Sequence, residues 1–247
     1  MSQNLLAIDV GNTRTKWGLF DGNDWVETGS LVNADIGTPE DLSAVWKKLP
    51  VFQRAVVSNV AGDNFAALLQ ASLAQVPVNM IQSAPQSCGV TNGYENPAQL
   101  GSDRWAAIVA AWDLTRAACV VVSSGTALTV DAISPRGEFM GGLISPGLYT
   151  MKNSLLANTA GISGAQGDWQ SFPINTADAV HTGALTAMAG VVNAMWLRLA
   201  HIGARPCLIM TGGDALELNG ALSDQAEIRP NLVLEGLILL DREMYSQ

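Results

Sequence analysis

Three short stretches bring together residue types that hold phosphate or move a proton. DVGNTRTK (9–16) sets an acid, a glycine, two threonines and a lysine around a turn. VVSSGTALTVD (121–131) follows a β-branched run with two serines, a glycine and alternating hydroxyls, and GSDR (101–104) puts Asp103 beside Arg104. Glycine lets the backbone approach a ligand closely, and the N–H groups and hydroxyls of such turns suit phosphate oxygens. A carboxylate such as Asp103 can accept the proton of an attacking alcohol where phosphoryl transfer is governed by positioning, and an arginine grips an anion through paired donors. A plainer reading stays open for each stretch: a hairpin turn for the first two, and a helix N-cap for Asp103.

Other chemistries are poorly served. Neither GxxxxGK[ST] nor GxGxxG occurs, and no GxSxG elbow surrounds Ser123 or Ser124. His181 and His201 lie in apolar helical context and read as partly buried or capping residues. Cys88, Cys119 and Cys207 are far apart with no CxxC pair, so they are expected to be reduced and buried. With 13 basic against 22 acidic residues the net charge is −9, and without a Lys/Arg cluster neither nucleic acid nor an anionic membrane is an expected partner. No run of 18 apolar residues is present and the start, MSQNLLAIDVGNT, lacks a basic n-region, so a cytoplasmic location is expected.

The elements that must position these residues form a pattern that occurs twice. LLAIDV (5–10), TKWGLF (15–20) and WVETGSL (25–31) read as a three-strand meander with an Asp-Gly-Asn turn at 21–23. A helix opening on Thr38 and Pro39 (38–49), a strand (54–60), a helix (63–75) and a strand (78–81) follow. The Gly-, Pro- and Asn-rich segment 82–102 reads as a long loop before a helix over 103–116. Strands at 118–124, 127–134 and 138–145 then repeat the meander. Helices at 146–157 and about 176–201, a glycine-rich loop at 161–171, a strand in CLIMTGG (207–213) and a helix near 232–245 complete the chain. Two domains, 1–115 and 116–247, are expected. Superposing Gly11 on Gly125 lays Thr15 over Thr129 and Asp9 over Ser123.

DVGNTRTK, GYENPAQLGSDR (93–104), SGTALTVD (124–131), GGLISPG (141–147), NTADAV (175–180) and TGG (211–213) occur in the order found in type III pantothenate kinases, and the chain resembles that family over nearly its whole length. DxGNTxxK and GxDR in this order are specific; TGG alone is weak. The resemblance implies an α/β fold of two ribonuclease-H-like domains, of the actin-like ATPase and sugar kinase type, related by an internal repeat with an ATP cleft between them. It implies an enzyme that phosphorylates pantothenate to 4′-phosphopantothenate with ATP, the first step of coenzyme A biosynthesis. Another small-molecule kinase of the same fold and a non-enzymatic accessory factor in transcription are the alternatives.

Residue by residue, the resemblance implies ATP contacts from Asp9, Val10, Gly11, Asn12, Thr13, Arg14, Thr15 and Lys16 in the first loop and from Thr126 in the second. Asp9 would help position Mg²⁺ through water, since that ion parts reluctantly with its hydration shell. Asp103 matches the proton acceptor, while Tyr94, Gly101, Ser102 and Arg104, together with Thr176 from a neighbouring subunit, match pantothenate contacts. A homodimer follows. The family commonly has an aspartate where this chain has Ser123, and that carboxylate goes with a monovalent cation, K⁺ or NH₄⁺. A serine brings no charge to a hard cation, so the expectation here is that the requirement is lost or met by backbone carbonyls and nearby side chains.

Overall fold

A computed structural model describes residues 4–159, 161–162, 166–203 and 205–245, so residues 163–165 of the glycine-rich loop lie outside the described residues. The chain divides into two units, 1–113 with 231–247, and 114–230.

In the first unit, strands β1 (Leu5–Val10), β2 (Arg14–Phe20) and β3 (Trp25–Val32) form the antiparallel meander. Helix α1 (Pro39–Trp46) starts with a capping box between Thr38 and Asp41. Strand β4 (Arg54–Asn59), helix α2 (Asp63–Ser72) and strand β5 (Val78–Met80) complete a sheet of order β3-β2-β1-β4-β5, in which β4 runs parallel to β1 and to β5. Alternate residues of β1, Leu6, Ile8 and Val10, face a core closed by Leu42, Trp46, Leu69 and Leu73 of the two helices and the segment after α2. Asp9 therefore points to the opposite face.

The segment read as one long loop contains a small hairpin, β6 (Gln86–Ser87) and β7 (Val90–Asn92), whose turn places Cys88 and Gly89 at positive φ. Two- and three-residue strands are too short to show a period. Helix α3 (Ser102–Thr115) is buried on nearly every side from Ser102 to Trp112.

In the second unit, β8 (Cys119–Ser124), β9 (Ala127–Ile133) and β10 (Glu138–Pro146) repeat the antiparallel meander. Helices α4 (Leu148–Asn158) and α5 (Thr176–Ala200) are followed by β11 (Cys207–Thr211), a short helix α6 (Ala215–Gly220) and β12 (Glu227–Ile228). Within this unit the order is β10-β9-β8-β11-β12, with β11 parallel to β8 and β12. The topology of the first unit recurs strand for strand, which supports the internal repeat read in the sequence.

By length and composition α5 could cross a membrane. Its Leu185, Met188, Val192, Met195 and Leu199, at helical spacing, pack instead into a core with Val120, Val122, Leu128, Val130 and Met210.

Three sequence expectations are corrected. The final helix, α7 (Leu232–Tyr245), belongs to the first unit: Asp241 pairs with Arg54 of β4 at 2.8 Å, and Gly236 lies so close to Ala106 that a Cβ would collide with its carbonyl. The range 116–247 therefore ends at Pro230 as a structural unit, because which sheet a terminal helix packs on is decided by long-range contacts. Thr15 does not match Thr129. Asp9 pairs with Lys16, and Ser123 pairs with Thr129, so Lys16 corresponds to Thr129 and Thr15 to Leu128. The first loop, 11–13, is one residue longer than the second, 125–126, and a one-residue slip exchanges the faces of a strand. The cysteines are free, but only Cys119 is fully buried and Cys207 is exposed; burial pushes the Cys119 thiol up to about 12.

Candidate active site

The first unit assembles a polar cluster on the face of its sheet opposite the α1–α2 core. Asp9 on β1 is flanked in register by Lys16 on β2 and Ser58 on β4. Ser58 is fully buried, and its hydroxyl lies 2.9 Å from that of Ser102 at the start of α3. One oxygen of Asp9, Oδ1, is buried with no hydrogen-bond partner among the described residues. Burial first, and then the nearby charge of Asp103, raise the Asp9 carboxyl from 3.8 to about 7, against the opposing pull of Lys16 and a hydrogen bond from Ser58. A cation beside Asp9 would offset both causes, so a divalent ion reached directly or through water fits this position. No group of three or more His, Cys, Asp or Glu side chains suited to a metal occurs among the described residues.

Asp103 is not the N-cap. The carbonyl of Gly101 accepts the first helical bond, from Trp105 N–H at 2.9 Å, and α3 begins at Ser102. Asp103 sits in the first turn, where Oδ1 accepts from the N–H of Arg104 at 2.8 Å. That bond and the Arg104 charge lower its carboxyl, but desolvation is larger and the net shift is upward. A side chain at Gly101 would meet Asp103 Oδ1 at 2.6 Å, so glycine keeps this carboxylate in place. Arg104 is buried, donates to the Tyr94 hydroxyl at 3.1 Å, and lies 5.7 Å over the Tyr94 ring. Tyr94 is held in turn by its N–H on Asn92 Oδ1. Tyr94, Gly101, Ser102, Asp103 and Arg104 thus form one group, and Asp9 and Lys16 join it through Ser58.

In the first loop Gly11 N–H closes the turn on Arg14 O at 3.0 Å, while Asn12, Thr13 and Arg14 are exposed. Thr15 is fully buried beneath them. In the second loop the corresponding bond runs from Gly125 N–H to Ala127 O, and Thr126 is exposed. This loop is walled by two other glycines. A Cβ on Gly147 would collide with the Gly125 carbonyl, and one on Gly212, at φ +106, with the Ser124 backbone. GGLISPG and TGG therefore shape the second loop. Ser123 is flanked in register by Thr129 and Thr211, a row of three hydroxyls.

Thr176 is the first residue of α5, whose N-cap is Asn175, accepting from Asp178 N–H at 2.9 Å. It lines a groove of about 880 Å³ with Met151, Leu155, Ile174 and Val180 of the same unit. The histidines are structural: His181 is buried 2.8 Å from Glu217 and 3.3 Å from Lys152, and His201 is the C-cap of α5.

Sequence reading missed Ser58, and it missed Asn33, whose side-chain amide donates to the Gly11 carbonyl of the first loop at 2.7 Å. The one clue to Ser58 was a hydroxyl inside an apolar strand.

Residues 5–198 match the family model for type III pantothenate kinase. The chain is 45% identical over 246 residues to a type III pantothenate kinase of Nitrosospira multiformis, covering 98% of this chain and 93% of that one. It is 42% identical to that of Aromatoleum aromaticum, covering 97% and 98%. Among solved structures it is similar to a conserved protein of Campylobacter jejuni described as a Baf family transcriptional activator (TM-score 0.63, 22% identity, 98% and 100% covered). MreB 5 of Spiroplasma citri bound to AMPPNP is also similar (TM-score 0.54, 10% identity, 100% and 98% covered). The fold is that of the actin-like ATPases and sugar kinases, and the relatives share nearly the full length of the sequence that builds this cluster: the chain belongs to the type III pantothenate kinase family.

Proposed function

We infer that the protein transfers the γ-phosphoryl group of ATP to the terminal hydroxyl of pantothenate, giving 4′-phosphopantothenate for coenzyme A synthesis, with Asp103 as general base. The observation that carries the reading is Asp103 itself, a desolvated carboxylate beside the buried Arg104 and close enough to Asp9 for their charges to interact. Desolvation makes Asp103 a stronger base than an ordinary aspartate. It takes the hydroxyl proton as that oxygen bonds to phosphorus, the bond to the ADP oxygen breaks, and ADP leaves. Arg104, steadied by Tyr94, holds pantothenate's carboxylate, and Ser102 and Gly101 define the floor on which the alcohol rests.

Asp9, whose buried Oδ1 has no hydrogen-bond partner among the described residues, would hold Mg²⁺, and Lys16 would face the phosphates together with the first loop. When bound, the ion neutralises charge that builds on the phosphoryl oxygens. Thr126 would contribute the matching contact from the second loop. The row Ser123–Thr129–Thr211 carries no carboxylate, so activity is expected to be nearly the same in K⁺, NH₄⁺ and Na⁺.

Thr176 would complete the pantothenate site of a neighbouring copy in a homodimer. This is supported by Phe172 and Ile174, 89% and 96% exposed, beside the start of α5. A cytoplasmic location fits a metabolic kinase of this family.

A coupled assay of ATP consumption tests the reading: turnover should require pantothenate, and sugars or other hydroxy acids should not replace it. Asp103→Asn should keep the fold and ATP binding while kcat falls about 10³-fold. Near-normal turnover in that variant would remove Asp103 as base.

A further inference from the structure

We propose that Asn33 is a positioning residue for ATP, holding the first phosphate loop in its binding shape. It lies outside every motif considered above, one residue past the end of the β2–β3 pairing at Arg14–Val32. Its polar groups are nonetheless spent on that loop. Nδ2 donates to the Gly11 carbonyl at 2.7 Å, Oδ1 accepts from the Thr15 hydroxyl at 2.8 Å, and the backbone N–H donates to Thr13 O at 2.9 Å. Asn33 is itself anchored as the first residue of a 3₁₀ turn over Asn33–Asp35, closed by Ile36 N–H on its carbonyl.

Two consequences follow from the geometry. The tip of the loop is exposed, and its own closing bond runs from Gly11 to Arg14, so the Asn33 amide ties the two ends from beneath. N–H groups that receive phosphate oxygens are effective only when already oriented, since ordering them on binding subtracts from affinity. Thr15, moreover, is fully buried and donates its hydroxyl to Asn33, so it supports the loop and does not touch phosphate.

The inference rests on the reading that residues 10–16 bind the ATP phosphates. The test is steady-state kinetics on the full-length protein carrying Asn33→Ala, Thr15→Val, both together, Thr15→Ser, and Lys16→Ala. Asn33→Ala and Thr15→Val should each raise KM for ATP about tenfold and leave KM for pantothenate within about twofold. The double variant should be little worse than either single one, because both remove the same clamp. Thr15→Ser, which keeps the donor, should retain the wild-type KM. If Asn33→Ala does not fold, Asn33→Asp serves: it keeps the acceptor for Thr15, sets a carboxylate against the Gly11 carbonyl, and should raise KM for ATP at least as much. A lowered melting temperature with unchanged KM for ATP overturns the proposal. If Lys16→Ala also leaves that KM unchanged, the phosphate-loop reading fails with it; if Lys16→Ala raises it, only the role of Asn33 is lost.

Discussion

The two units build the same five-strand sheet and put different chemistry on the same row of it. In the first, the row across β4, β1 and β2 is Ser58, Asp9, Lys16; in the second, across β11, β8 and β9, it is Thr211, Ser123, Thr129. One row has a hydroxyl, a carboxylate and an ammonium, and the other has three hydroxyls. Backbone topology and burial are shared even to the strand pattern after each loop, exposed then buried then half-buried, at Arg14–Lys16 and at Ala127–Thr129. The duplicated scaffold thus supplies two similar glycine turns, while side chains alone decide which row presents a carboxylate.

The comparison is broken most severely by making the first row resemble the second. Asp9→Ser should lower kcat/KM by about 10³-fold or more, because the row loses the charge that would hold the divalent ion. Steady-state rates at saturating Mg²⁺ check this, and a loss under about tenfold would mean that Asp9 is not at the metal.

The reverse exchange should have a smaller effect. Ser123→Asp gives the second row a carboxylate and should create a dependence on monovalent cation, with the rate in K⁺ about five- to tenfold above that in Na⁺. The wild-type ratio should be near one. A wild-type enzyme already dependent on K⁺ would show that neutral ligands suffice there.

A further difference concerns stability without ligands. The folded-state pKa of Asp9, about 7, lies above its ordinary value of 3.8. Between these values the folded state binds more protons than the unfolded one, so this group makes stability fall as pH rises from about 4 to about 7, with no further loss above. Asp9→Asn removes the penalty. In EDTA it should be more stable than the wild type by about 4 kcal/mol at pH 8 and nearly indistinguishable near pH 4, as measured by denaturant unfolding. Ser123→Asn should show no such crossover.

Much of this was legible in residue order. The two meanders, the helices at α3, α5 and α7, and the GSDR and DVGNTRTK motifs follow from local periodicity and turn chemistry, and the described elements begin and end within a few residues of the expected positions. What escaped had non-local causes. β6 and β7 are short, and α6 has six residues, so no period is visible in them. Asn33 meets Gly11 across 22 residues and Ser58 meets Ser102 across 44, and no neighbour in sequence names either partner.

By itself the sequence determined that there are two similar halves, that each carries a glycine turn between strands, and that an aspartate–arginine pair opens the helix joining them. These are matters of short-range sterics and hydrophobic period. Only the tertiary structure decided the rest: that Lys16 and not Thr15 stands beside Asp9, that α7 returns to the first sheet, and that Asp9 is desolvated close to Asp103. The reason is physical. Strand register depends on loop length, helix docking on which apolar face is left uncovered, and a carboxylate's proton affinity on groups that the fold, and not the chain order, brings near it.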